Sequence, residues 1–135
     1  MCLLIKPNEK PMTAKRDMVC YKVVEKWVYA DRSFNYITPF YNMVVVMGDT
    51  YYTNKGLDKT PLDDEKDAVD EGYHSIRTLR EAKIYHNKFL DLPKRYILVK
   101  CIIPKGAQYY KGYCPFWGRR YNSYVSDHIK YIEEI

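Results

Sequence analysis

The chain has 135 residues, 47% hydrophobic and 16% aromatic, with 22 Lys and Arg against 17 Asp and Glu for a net charge of +5. That length suits one domain able to bury a core without staples, and six glycines with seven prolines exclude collagen-like and Pro/Gly-rich disordered classes. No apolar run approaches the roughly 18 residues that cross a bilayer, and the apolar start at residues 1–5 is too short for a signal peptide, so the reading is a cytoplasmic protein with no membrane contact.

Residues 1–17 hold two prolines and scattered basic side chains without period, which predicts a flexible lead-in. From Met18 to Tyr29 the set Val19, Tyr21, Val23, Trp27, Tyr29 alternates with Cys20, Lys22, Val24, Lys26, Val28, a period of two that predicts a strand with one better-buried face. Residues 30–41 read as a loop, with Pro39 blocking a helix. The apolar run 43–47 reads as a short central strand, and Gly48-Asp49 turns it into a strand over 50–53. Asn54, Gly56, Pro61, Gly72 and an acidic cluster predict a long exposed loop over 54–72.

Thr78 followed by Glu81 matches the capping box, and Leu79, Ala82, Tyr85 and Phe89 fall at helical spacing, so a helix is expected over 78–90, stopped by Pro93. Residues 96–103 predict the strongest strand, burying Ile97, Val99, Cys101 and Ile103. Pro104-Lys105-Gly106 turns the chain into a strand over 107–110. Residues 111–120 read as a Gly/Pro/aromatic loop ending in Arg119 and Arg120, and 121–135 suits either a helix or a strand. The fold class predicted for 18–135 is a single α+β domain, mainly antiparallel sheet with one principal helix packed on it.

Charge is segregated along the chain. Residues 58–71 carry seven acidic and two basic side chains, while 72–120 carry eleven basic and two acidic ones. A strongly basic segment attracts anionic partners such as RNA, a nucleotide or an acidic protein face, although such runs are often only solvated surface. No RNP, KH, zinc-finger or helix-turn-helix pattern supports sequence-specific nucleic-acid reading. The 15 tyrosines are consistent with a binding surface, and equally with the residue bias of an AT-rich genome. Cys2, Cys20, Cys101 and Cys114 lack metal-ligand or disulfide spacing, so they read as ordinary thiols with Cys20 and Cys101 in the core. No metal or cofactor is expected.

No P-loop, G-x-S-x-G or HExxH motif is present. His74, after the Gly72-Tyr73 turn, reads either as a satisfied polar residue or as a ligand-binding or acid–base group near a helix N-terminus. Arg77, Arg80 and Lys83 share a helix face, and Phe116-Trp117-Gly118-Arg119-Arg120 places aromatics beside arginines, a combination suited to protein or nucleic-acid contact.

Asp70–Ser75, the strand over 96–101, Ile103–Tyr110 and Tyr124–Asp127 together resemble small uncharacterised proteins of Bacteroidetes genomes and their phages, in which a GFHS-like turn precedes a helix and an IPKGA-x-Y hairpin follows. The piece from Ile103 to Tyr110 is also similar to the late strands of mono-ADP-ribosyltransferases. Those families carry Ser-Thr-Ser and Glu-x-Glu motifs for NAD, whereas this chain has no Ser-Thr-Ser and its close glutamates, Glu133 and Glu134, are adjacent. The phage-like resemblance implies a non-enzymatic phage or prophage accessory protein that docks on a host defence protein or its nucleoprotein complex, in the manner of an anti-CRISPR protein. The contact residues expected are Arg77, Arg80, Lys105, Tyr109, Tyr110, Trp117, Arg119 and Arg120. The alternatives are a nucleotide-binding or ADP-ribosyltransferase-like domain with His74, Arg77 and Tyr110 around the ligand, and an RNA-binding protein contacting nucleic acid through 72–120.

Overall fold

The computed structural model describes residues 3–39, 42–90 and 95–135. Its centre is the antiparallel pair β3 (Met18–Val28) and β10 (Tyr96–Ile103), in register from Met18 opposite Ile103 to Glu25 opposite Tyr96. The free edge of β10 takes β13 (His128–Glu134), with a bulge between Lys100 and Cys101, and β13 takes β6 (Thr50–Tyr52).

The other edge of β3 is shared. β9 (Tyr73–Ile76) meets it at Tyr21, and β4 (Phe34–Ile37) pairs with it from Glu25 onward. Between those contacts no strand among the described residues covers Lys22, Val23 or Val24 on that side. β5 (Val44–Val45) pairs with β4. From β9 the sheet continues through β12 (Arg119–Ser126), β11 (Gln108–Phe116), β1 (Leu3–Ile5), β8 (Asp67–Val69) and β7 (Lys59–Pro61), with β2 (Met12–Thr13) on the start of β11. The whole curls into a half-barrel, and α1 (Leu79–Asn87) is the one helix among the described residues.

Side-chain alternation sorts the core. Cys20 and Val24 project to one face with Val99, Cys101, Ile129 and Tyr131. Val23 and Ile76 project to the other, where Leu98 and Tyr121 meet Ala82, Tyr85 and Phe89. A third cluster joins Leu3, Ile5 and Val69 to Tyr110, Cys114 and Val125. Cys20, Cys101 and Cys114 are buried free thiols, and Cys2 lies outside the described residues.

Several expectations hold. β10 buries Ile97, Val99, Cys101 and Ile103 as its alternation requires. Thr78 caps α1, its hydroxyl accepting the Glu81 amide at 3.3 Å. The reciprocal half of the capping box is absent, because the Glu81 carboxylate instead accepts the backbone amide of Asn122 at 2.6 Å and its side-chain amide at 2.9 Å, tying the helix start to β12. Pro93 lies outside the described residues.

Other expectations are corrected. The domain is one antiparallel sheet with one helix, but with 53% strand and 7% helix it is largely β rather than a balanced α+β fold. The lead-in contributes β1, whose Leu3, Leu4 and Ile5 are all buried, because three successive aliphatics outweigh the polar residues after them. The loop at 30–41 contains β4, and the central strand at 43–47 is only the two-residue edge piece β5 with Val44 exposed. The acidic loop contains β7 and β8, and its charges pair locally, Lys59 with Asp67 and Lys66 with Asp63, both at 3.7 Å. The loop at 111–120 is a hairpin, and the tail at 121–135 forms two strands, β13 alternating buried Ile129 and Tyr131 with less buried neighbours.

Candidate functional site

The β11–β12 hairpin turns through Trp117-Gly118, between the paired residues Phe116 and Arg119. Both turn residues have positive φ, 49° at Trp117 and 73° at Gly118, the requirement of a two-residue type I′ turn. Glycine, asparagine and aspartate adopt that geometry readily; a bulky L-residue there is strained by about 1–2 kcal/mol. Trp117 is held in place on one side by ring contacts to Phe116 (4.2 Å between centroids), Phe89 (5.1 Å) and Tyr85 (5.7 Å). Its other side is open, leaving 48% of the residue exposed.

Arg119 and Arg120 follow the turn directly. The Arg119 guanidinium lies 5.8 Å from the Tyr121 ring centre and that of Arg120 4.7 Å from the Tyr113 ring, cation–π contacts that hold the side chains without neutralising them. Arg77 and Arg80 are exposed at the start of α1, and the Arg77 amide donates to the Asn122 carbonyl at 2.9 Å. None of these four arginines forms an ion pair with a carboxylate among the described residues. Glu81 and the Arg77 backbone both anchor to Asn122, two residues from Arg120, while the Arg77 side chain hydrogen-bonds Tyr124.

The remaining contact residues expected from sequence sit elsewhere. Lys105 is exposed in the β10–β11 turn, where its amide donates to Asp17. The nine residues of β11 separate it from Trp117, about 30 Å at 3.3 Å per residue. Tyr109 is half-buried against Tyr124, with ring centres 5.6 Å apart. Tyr110 is only 4% exposed, in the cluster of Leu3 and Val125, so it cannot anchor a partner. The alternation of β11 places Tyr110 on the face of Cys114, a signal hidden as long as 111–120 read as a loop.

A second candidate is a cavity of about 270 Å³ where β9 and β4 leave the edge of β3 uncovered. Tyr21 and Lys22 line it from β3, Tyr73 and Ser75 from β9, Thr38 after β4, and Tyr131 from β13. Lys22 reaches across the gap, its ammonium donating to the His74 carbonyl at 2.6 Å. It is half-buried by surface area yet packed about by protein atoms, and that burial lowers its pKa. Gly72 at the rim has a φ of 110°, and a Cβ there would lie 2.6 Å from both Leu57 Cδ2 and Val125 Cγ1, so the close approach of these segments needs glycine.

His74 contributes its backbone to this gap and buries its ring, with Nε2–H donating to the Val69 carbonyl at 3.2 Å. Burial, and secondarily the charge of Lys22, lower its pKa to about 4, so the ring is neutral at pH 7. Arg77 and Tyr110 do not line the cavity; of the three ligand residues expected from sequence, His74 alone does. Cys20 beside Ser75 has its thiol pKa pushed up to about 11 by burial, and Cys101 is likewise raised, so neither supplies a thiolate near neutral pH. No cluster of potential metal ligands occurs among the described residues, and none of the described helices is long and apolar enough to cross a membrane.

Compared with family models, curated proteins and solved structures, the chain matches none.

Proposed function

We propose that the chain is a docking protein that makes and breaks no covalent bond, and that the Trp117 hairpin tip with Arg77, Arg80, Arg119 and Arg120 seats on an acidic face of another protein. The observation that carries this reading is Trp117 itself: a large aromatic held in a strained left-handed turn, half exposed, and followed directly by Arg119 and Arg120, which have no counterion among the described residues. Tryptophan and arginine are the residues that most often dominate interface energetics, and unpaired guanidinium groups steer and orient an acidic partner. The phage-like resemblance supplies the setting, in which the partner is a host defence protein and docking inhibits it.

The test is capture of a defence protein from a nuclease-treated host lysate by the wild-type chain, by the double variant R119E/R120E and by the remote control K105E. Both reversed arginines are exposed, so the double variant keeps its fold, checked by circular dichroism. The expected result is partner retention by wild type and K105E and at least a tenfold loss of affinity in R119E/R120E, the scale of about 1.4 kcal/mol or more. Equal retention by all three chains refutes the reading. A partner released by nuclease supports the RNA-binding alternative, which also predicts affinity falling steeply with salt.

A further inference from the structure

Two lysines of β3, four residues apart, project to the same face of the sheet, and among the described residues only Lys26 has a counterion. Lys26 pairs with Glu134 at 3.0 Å, and the Tyr36 hydroxyl donates to the same carboxylate oxygen at 2.9 Å. Lys22 has no carboxylate partner among the described residues. Its one hydrogen bond, to the His74 carbonyl, leaves two ammonium N–H groups unused. The nearby thiols of Cys20 and Cys101 are protonated near neutral pH and supply it no negative charge, and Glu71, the one carboxylate lining the cavity, is exposed. A buried ammonium without an anion costs several kcal/mol, and such groups are found paired.

The missing anion has a place to go, because the cavity opens directly beside Lys22. Tyr131 lines the same cavity; it is 0% exposed and its hydroxyl has no hydrogen-bond partner. An unpaired cation and an unpartnered hydroxyl donor thus share a space walled by Tyr21 and Tyr73. At about 270 Å³ it is just below the usual range of ligand pockets, roughly 300–1,000 Å³, which suits a single-ring or short branched molecule rather than a dinucleotide.

We propose that the cavity between β3 and β9 binds a small monocarboxylate with an apolar body, its carboxylate on the Lys22 ammonium and within the donor range of Tyr131. The cavity shares Tyr85 with the hairpin tip but none of its arginines, and its test reads ligand binding rather than capture, so the two readings fail separately. Lys22 here is a binding residue, and nothing in the cavity requires the ligand to react.

The experiment titrates the full chain with sodium benzoate, 4-hydroxybenzoate and 3-methylbutanoate, against benzamide and sodium chloride at matched concentrations. Thermal unfolding and the amide NMR shifts of Tyr21–Val23 and Gly72–Ser75 are followed together. The expected result is that at least one carboxylate raises the unfolding temperature and moves those shifts, while benzamide and chloride do neither. Lys22→Met, which keeps the length of the side chain and removes its charge, then loses at least tenfold in affinity, and Tyr131→Phe loses severalfold. Silence of all three acids on the wild-type chain overturns the proposal, as does benzamide or chloride matching their effect. Because the NMR titration is read on the wild-type chain, a misfolded variant leaves the outcome decided.

Discussion

Replacing Gly112 by alanine tests whether the opening residues are structural. Gly112 is in β11 directly under β1, and an alanine Cβ there would run into the Leu4 carbonyl oxygen and stand 3.0 Å from Ile5 Cγ2. Backbone cannot swing aside as a flexible side chain can, so β1 must lift. Lifting it exposes Leu3, Leu4 and Ile5, each now nearly or fully buried and each worth about 1.5–3 kcal/mol of apolar burial. The three freed residues regain about 1–2 kcal/mol each of conformational entropy. The residue pairing of β8 with the rest of the sheet runs through β1, so its contacts weaken as well. The net expectation for Gly112→Ala is a loss of about 3 kcal/mol, read as a lower urea midpoint, together with faster hydrogen exchange at residues 3–5. A loss below about 1 kcal/mol, the ordinary scale of a single substitution, with exchange at 3–5 unchanged, would refute the packing argument for β1.

Stability falls on acidification through His74. Its folded pKa is about 4 against an ordinary histidine value of 6.5, so the unfolded chain takes up a proton that the folded chain refuses. The stabilisation is complete above pH 6.5 and disappears as pH falls toward 4, a cost of about 3 kcal/mol at pH 4. Urea midpoints across that window measure it, and His74→Gln is expected to flatten the curve; an equally steep curve in the variant contradicts the assignment. Thr78→Ala removes the hydroxyl that caps α1 and is expected to cost about 1 kcal/mol, measured by the same unfolding, with no change in the capture assay.

Where local pattern and tertiary environment agreed, the sequence was readable. β10 alternates cleanly, and α1 has both a cap at Thr78 and apolar residues at helical spacing. The hairpin at 111–120 was hidden because Gly112, Pro115 and Gly118 are ordinary strand breakers. Each has a local reason here: Gly112 lets the Leu4 backbone pass, Pro115 is exposed near the hairpin end, two residues beyond the bridge of β11 to β1, and Gly118 completes the turn. β7 and β8 are three residues each and carry charge, too short for any periodicity to show. At the sites, the arginines and Trp117 were legible as a surface, whereas Tyr110 turned inward on the face that β1 covers. Lys22 was missed because a lysine in an alternating run reads as the wet side. The clue was that Cys20 and Val24, two residues to either side, are the small apolar residues that face Val99 and Cys101 in the core.

The pairing of β1 with β11 brings Leu4 to Tyr113, and β6 finds its place only on β13. An emerging polypeptide therefore carries its first aliphatic strand without β11 until late in synthesis, while β8, the other strand that pairs with it, is made about half-way along. The β11–β12 hairpin can form locally, but the pairings of β1 with β11 and of β6 with β13 wait on long loop closures, which slow the completion of such sheets.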